Sequence, residues 1–171
     1  QRSTRESGKK MLAAKVEGTS LLYEAVRDRP LDFFILFSSL SAYIPSIGQA
    51  GYCAANAFLD SFANYCHGNN SQFPVLSINW ERWKATGMAK EIEEKHRQLT
   101  GEELAHAITE AEGVHIFSRI GAISLPQVAI SAYDLNELIT RYQDAQFPLV
   151  SEGIAFDYPQ PDSAVKYERP D

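Results

Sequence analysis

The sequence predicts an α/β domain built on a parallel β-sheet, and three observations carry that expectation. Two long segments repeat apolar residues at helical spacing, and three short runs rich in branched and aromatic residues stand between helical segments. The first of those runs shows no polar alternation, as a strand covered on both faces requires. The resulting order of helix, strand, helix, strand, helix, strand is that of parallel strands joined by helical crossovers.

Residues 7 to 27 place Met11, Leu12, Val16, Leu21, Leu22 and Val26 near one side of a helix that Pro30 closes. "LDFFILFSS" (31 to 39) reads as a central parallel strand. A helix from about 49 to 65 follows and stops at "HGNN", and "PVLSINW" (74 to 80) reads as a second buried strand. Thr100 and Glu103 form a capping box ahead of Leu104, Ala107, Ile108 and Ala111, so a further helix is expected to start there. "PQVAIS" (126 to 131) is a third strand. Beyond residue 146 the chain carries four prolines and loses its periodicity, which divides it into a domain over 1–146 and an extended linker over 147–171.

Composition narrows the function. At 171 residues, 44% hydrophobic, the chain has material for a core. A net charge of −6 without clustered Lys or Arg argues against nucleic acid and anionic membranes as partners. The apolar runs are strand-sized and the first ten residues are polar, so a cytoplasmic setting is expected. Cys53 and Cys66 fall on one predicted helix, 13 residues apart and therefore about 20 Å, too far to bridge. With four scattered histidines and no CxxC, no metal site is expected.

Ser38 and Ser39 sit at the carboxyl end of the first strand, where parallel α/β sheets bind ligands. Tyr52 and Asn56 are at i and i+4 of the following helix and share a face. Taken singly, each has an ordinary structural reading: a strand-end serine caps a turn, and a helical tyrosine packs with its hydroxyl wet.

In combination they carry more. The run "FSSLSAYIPSIGQAGYCAANAFLD", with "AAKVEGT" upstream and "INWERWKATGM" downstream, resembles the catalytic, C-terminal part of ketoreductase domains. Such domains belong to modular polyketide synthases and hybrid or nonribosomal synthetases, within the short-chain dehydrogenase/reductase superfamily. The resemblance covers about residues 5 to 138 and implies a Rossmann-like sheet. It assigns Lys15, Ser39, Tyr52 and Asn56 to a catalytic tetrad, with Ser38 left as a turn residue. Ordinary short-chain dehydrogenases carry YxxxK; here Asn56 follows Tyr52 by four and the lysine lies upstream, which is the ketoreductase pattern. The family's WGPW-like segment reads "WERW" here.

The implied chemistry is NADPH-dependent reduction of a β-keto or α-keto acyl thioester held on the phosphopantetheine arm of a carrier-protein domain, to which "VKYERPD" would lead. A phenol titrating near 10 serves as proton donor at neutral pH only beside a stabilising cation. Tyr52 is thus the implied acid, Ser39 the second donor to the carbonyl oxygen, Lys15 the cation and the contact to the cofactor ribose, and Asn56 the holder of a proton relay. Trp80 and Trp83 read equally as pocket lining or core, and the charged stretch 84 to 99, with Met88, as a substrate lid or a solvated helix. Ile44 stands where members giving L alcohols carry Trp, eight residues before the tyrosine, which points to a D-type product. No GxGxxG occurs, so the cofactor fingerprint strands are expected in a preceding N-terminal half, and this segment alone is expected to be inactive. The competing reading is a catalytically inactive lobe that organises neighbouring synthase domains.

Overall fold

A computed structural model describes residues 5–45, 49–84, 88–101, 107–121 and 124–140; the expected linker over 147–171 lies outside them. Among the described residues, three strands form one parallel sheet in the order β1 (Phe34–Ser39), β2 (Val75–Trp80), β3 (Gln127–Ala129). Helices α1 (Arg5–Leu12) and α2 (Gly18–Val26) precede β1, and α3 (Ala50–Gly68) crosses from β1 to β2. Helices α4 (Met88–Thr100) and α5 (Glu110–Ile120) lie between β2 and β3.

The sheet separates two hydrophobic layers because strand side chains alternate between its faces. On one face Leu36 and Val75 meet Leu59, Ala63 and Cys66 of α3, together with Phe73. Tyr23 of α2 closes this layer edge-on against Phe34 and Phe62 at centroid distances of 5.9 and 5.2 Å. On the other face Leu76, Ile78 and Trp80 meet Ile108, Ile120 and the flanking Ile35, Ile116 and Val128. Fully burying a side chain such as Leu59 or Ile78 contributes roughly 1.5–3 kcal/mol, so these layers fix the sheet against α3 and α5.

Four expectations are corrected. First, among the described residues it is β2, buried along all six positions, that has a strand on both sides, whereas β1 has one on its β2 side alone and leaves Phe37 53% exposed. Second, the first predicted helix is interrupted by a π-helical segment, Ala13–Glu17, which no apolar spacing signals. Third, Thr100 ends α4 instead of opening a helix; Glu103 and Leu104 fall outside the described residues. The capping box belongs to Thr109 and Glu112 at the start of α5, where the Thr109 backbone N–H donates to the Glu112 carboxylate at 2.9 Å. Fourth, Ile108, expected on a helix, is extended and bridges Trp83 in parallel. Thr100–Glu103 and Thr109–Glu112 have the same residue spacing; the helix that opens at Thr109 packs Ile116 and Ile120 on the sheet.

The stop at "HGNN" is conformational: Asn70 adopts φ of 51°, a left-handed geometry that asparagine tolerates better than most residues. Cys53 and Cys66 both lie on α3 with free thiols.

Candidate active site

Strand β1 carries its two serines to opposite sides of the sheet. In the parallel register Ser38 pairs with Asn79 and Ser39 with Trp80. Ser38 turns toward α3, where its hydroxyl donates to the Asn56 carbonyl at 3.2 Å and accepts from Asn79 Nδ2 at 3.0 Å. Ser39 ends the strand and caps the 3-10 turn Leu40–Ala42, its Oγ accepting from the Ser41 backbone N–H at 3.2 Å. Accepting that bond leaves the Ser39 hydroxyl proton available for a further acceptor, because a hydroxyl both donates and accepts.

Helix α3 opens at the carboxyl end of β1 and places Tyr52 and Asn56 in its first two turns. Asn56 is fully buried and donates Nδ2 to the Tyr52 carbonyl at 2.8 Å. Its Oδ1 is buried with no hydrogen-bond partner among the described residues. A buried orphaned acceptor is costly, so its persistence behind the tyrosine marks a place where a donor is expected during function.

Lys15 arrives from the π-helical segment. A π turn rotates the residues that follow relative to an α-helix, and such segments concentrate at functional sites. Here the Lys15 ammonium donates to the Phe37 carbonyl of β1 at 2.7 Å and lies 6.0 Å from the Tyr52 ring centroid. Burial lowers its pKa below the ordinary lysine value, and the Asp60 carboxylate opposes that shift.

Asp60 is the unanticipated member of this region. It is 7% exposed on α3, four residues beyond Asn56, and accepts from Ser77 Oγ at 2.6 Å and Asn79 Nδ2 at 2.8 Å. Two sequence signals could have found it. Tyr52, Asn56 and Asp60 repeat at i, i+4 and i+8, and Ser77 and Asn79 alternate inside an otherwise apolar buried strand.

The structure therefore brings Lys15 onto Tyr52, sets Asn56 behind Tyr52, and puts Ser39 at the adjoining strand end. Trp80 stands beside Ser39 in the strand register and is 5% exposed, its ring 6.0 Å from Phe37 and 5.0 Å from Trp83. Trp83 rests on Gly113 of α5. Met88 begins α4, which an ion pair between Glu93 and Arg82 ties back to the segment after β2. Among the described residues no helix is long and apolar enough to cross a membrane, and no cluster of His, Cys, Asp and Glu has metal-ligand geometry.

A family model described as the KR domain matches residues 1–85. Polyketide synthase PksL of Bacillus subtilis (strain 168) is 40% identical over 122 residues, covering 70% of this chain and 2% of that protein. Among solved structures, a ketoreductase domain from the bacillaene assembly line superposes with a TM-score of 0.66 at 32% identity, over 82% of this chain and 34% of that one. An N-terminal ketoreductase from the macrolactin assembly line gives 0.65 at 31% identity, over 82% and 26%. The chain thus spans a quarter to a third of these solved chains and a small fraction of the synthase.

Proposed function

The chain belongs to the ketoreductase (KR) domain family of modular polyketide synthases, with its Rossmann-like fold, and from that premise we propose that it carries the proton-delivering side of an NADPH-dependent reduction of a keto-acyl thioester. The observation that carries the reading is the Lys15 ammonium held against the Tyr52 ring by the Phe37 carbonyl.

Reduction of a ketone builds negative charge on the carbonyl oxygen, and donors already aimed at that oxygen lower the barrier. Tyr52 delivers the proton from its hydroxyl, and Ser39 donates the second hydrogen bond. Lys15 favours the tyrosinate left behind, since a nearby cation stabilises an anion most where solvent is partly excluded. Asn56 offers its orphaned Oδ1 to the relay that returns a proton to Tyr52.

The residues present fit the nicotinamide-ribose end of such a cofactor: a cation, a phenol and a buried free acceptor stand together at the carboxyl ends of parallel strands. When bound, NADPH supplies the hydride that no side chain can donate. Lys15 and Tyr52 would hold its ribose. The pyrophosphate site would come from an N-terminal ketoreductase half pairing with β1. The substrate is a β- or α-keto acyl chain on a carrier protein's phosphopantetheine arm, presented by neighbouring domains of a cytoplasmic synthase. Trp80, Trp83 and Met88 are proposed to border its path, with α4 as lid. For a β-keto substrate the D-configured alcohol is proposed.

The test uses the complete synthase module and a carrier-bound ketone, with loss of NADPH followed by absorbance and the product resolved chirally. NADPH-dependent formation of a D alcohol supports the reading. Cofactor binding without turnover of any keto thioester would favour an architectural lobe instead.

A further inference from the structure

Three amides and one carboxylate form a closed circuit between α3 and the sheet. The Asp60 carbonyl accepts from Asn64 Nδ2 at 2.8 Å, and the same Nδ2 donates to Gln127 Oε1 at 3.0 Å. Gln127 is thereby fixed with Nε2 toward Asn79 Oδ1, 3.0 Å away. That contact fixes the fully buried Asn79 with its Nδ2 toward β1 and the Asp60 carboxylate, where the circuit closes at 2.8 Å. No amide in the circuit can be turned over without setting donor against donor or acceptor against acceptor.

The consequence falls on Ser39. Asn79 Nδ2 has two hydrogens and three acceptors: Asp60 Oδ2 at 2.8 Å, Ser38 Oγ at 3.0 Å and the Ser39 carbonyl at 3.2 Å. One hydrogen serves the carboxylate, leaving the second divided between the two serines. The Ser39 peptide plane, from which its hydroxyl is aimed, is therefore held by a side chain whose orientation α3 dictates. Helix α3 also carries Tyr52.

We infer that Asn79 is a positioning residue for ketone reduction: through its bonds to Asp60 and to the Ser39 carbonyl it locks the strand-end hydroxyl in register with the helix bearing the acid. This rests on the proposed role of Ser39 as donor to the substrate oxygen. Misplacing such a donor by about 1 Å costs on the order of 10²-fold in rate.

A charge swap separates positioning from simple structural support. Asn79→Asp alone sets two carboxylates against each other and strips the donor from Ser39. Adding Asp60→Asn restores a hydrogen bond between positions 60 and 79 in the opposite sense, and Ser77 keeps an acceptor. A carboxylate at position 79 still has no proton for the Ser39 carbonyl. In the complete module, Asn79→Asp is expected to lower both kcat and the thermal midpoint, with KM for the ketone changed by less than about threefold. The swap is expected to recover the thermal midpoint while kcat stays down by about tenfold or more. Recovery of both would overturn positioning, because a merely structural pair needs only the bond between 60 and 79. Ser38→Ala, a small change on a buried strand, serves if the position 79 variants do not fold. It should keep kcat within about threefold of wild type, and a loss as large as that of Ser39→Ala would overturn the inference by moving control to the Ser38 hydroxyl. Retained activity in Ser39→Ala would overturn the functional reading and this inference together. An inactive Ser39→Ala beside a fully active swap would overturn this inference alone.

Discussion

Lys15 and Tyr52 meet across the junction of a π turn and a helix start, the ammonium 6.0 Å from the ring centroid and anchored at 2.7 Å to a strand carbonyl. The anchor fixes one ammonium hydrogen and leaves two for the phenolic oxygen and a cofactor hydroxyl. Lys15→Met removes all three while keeping most of the apolar stem. It is expected to weaken NADPH binding and slow reduction together, measured by titration and by initial rates in the complete module. Unchanged values for both would remove Lys15 from the site.

Tyr52→Phe deletes one oxygen from a half-buried ring. General acids contribute about 10²–10⁴ in rate, so turnover of a carrier-bound ketone should fall by about 10² or more. The thermal midpoint should barely move. Near-normal turnover would assign the proton to another group.

The Lys15 ammonium also gives a pH prediction whose sign is fixed by its surroundings. Burial lowers its pKa, so in the folded protein it loses its proton at a lower pH than an exposed lysine; Asp60 works the other way. Loss of charge at Lys15 removes the support for the tyrosinate, so activity should decline as pH rises through the lowered value. Asp60→Asn removes the opposing carboxylate and should move the Lys15 side-chain NMR titration further toward low pH. A shift toward high pH would refute the assigned direction. Stability follows the same linkage: the cost of burying the charged ammonium is present below the folded pKa and disappears above the unfolded value near 10.5.

Gly113 is a packing prediction. A Cβ added there would come within 2.6 Å of Cζ3 and 2.8 Å of Cζ2 of the Trp83 indole, so the ring or the helix must shift. Overpacking of this kind costs about 1–3 kcal/mol. Gly113→Ala should lower the thermal midpoint, and replacing Trp83 with leucine in the same protein should restore part of it. No change in either variant would mean that α5 does not rest on this ring.

The sequence made the elements legible wherever one periodicity ran unopposed, as in α3 and β2. It failed where two signals were equivalent. The Thr100 and Thr109 boxes have identical spacing, and the helix start observed at Thr109 is the one whose Ile116 and Ile120 reach the sheet. Of the site, the i, i+4 pair Tyr52 and Asn56 could be read directly. Lys15 was reached only through the family resemblance, since its partners are brought to it by the tertiary fold and its aim depends on a π turn without a compositional mark. Asp60 and Asn79 were visible as polar residues in apolar settings, but their connection needed the strand register.

The edge position of β1 leads to the last prediction. Its outer side has no strand among the described residues, and Phe33 and Phe37 on or beside it are 58% and 53% exposed, while Leu21 and Leu22 of α2 are 71% and 56% exposed. An apolar edge strand with free backbone groups is a template for pairing, and these side chains form the apolar surface that a neighbouring strand and helix would cover. A polypeptide of residues 1–171 expressed alone is therefore expected to self-associate, and to lack NADPH binding at micromolar concentration because none of its turns has the glycine pattern that cradles a pyrophosphate. Co-expression with the cofactor-binding half of a ketoreductase should suppress association and restore binding if that half pairs with β1 and supplies a phosphate turn. Stoichiometric NADPH binding by the monomeric polypeptide in isothermal titration would show instead that β1 needs no partner and that the cofactor is held by residues of this chain alone.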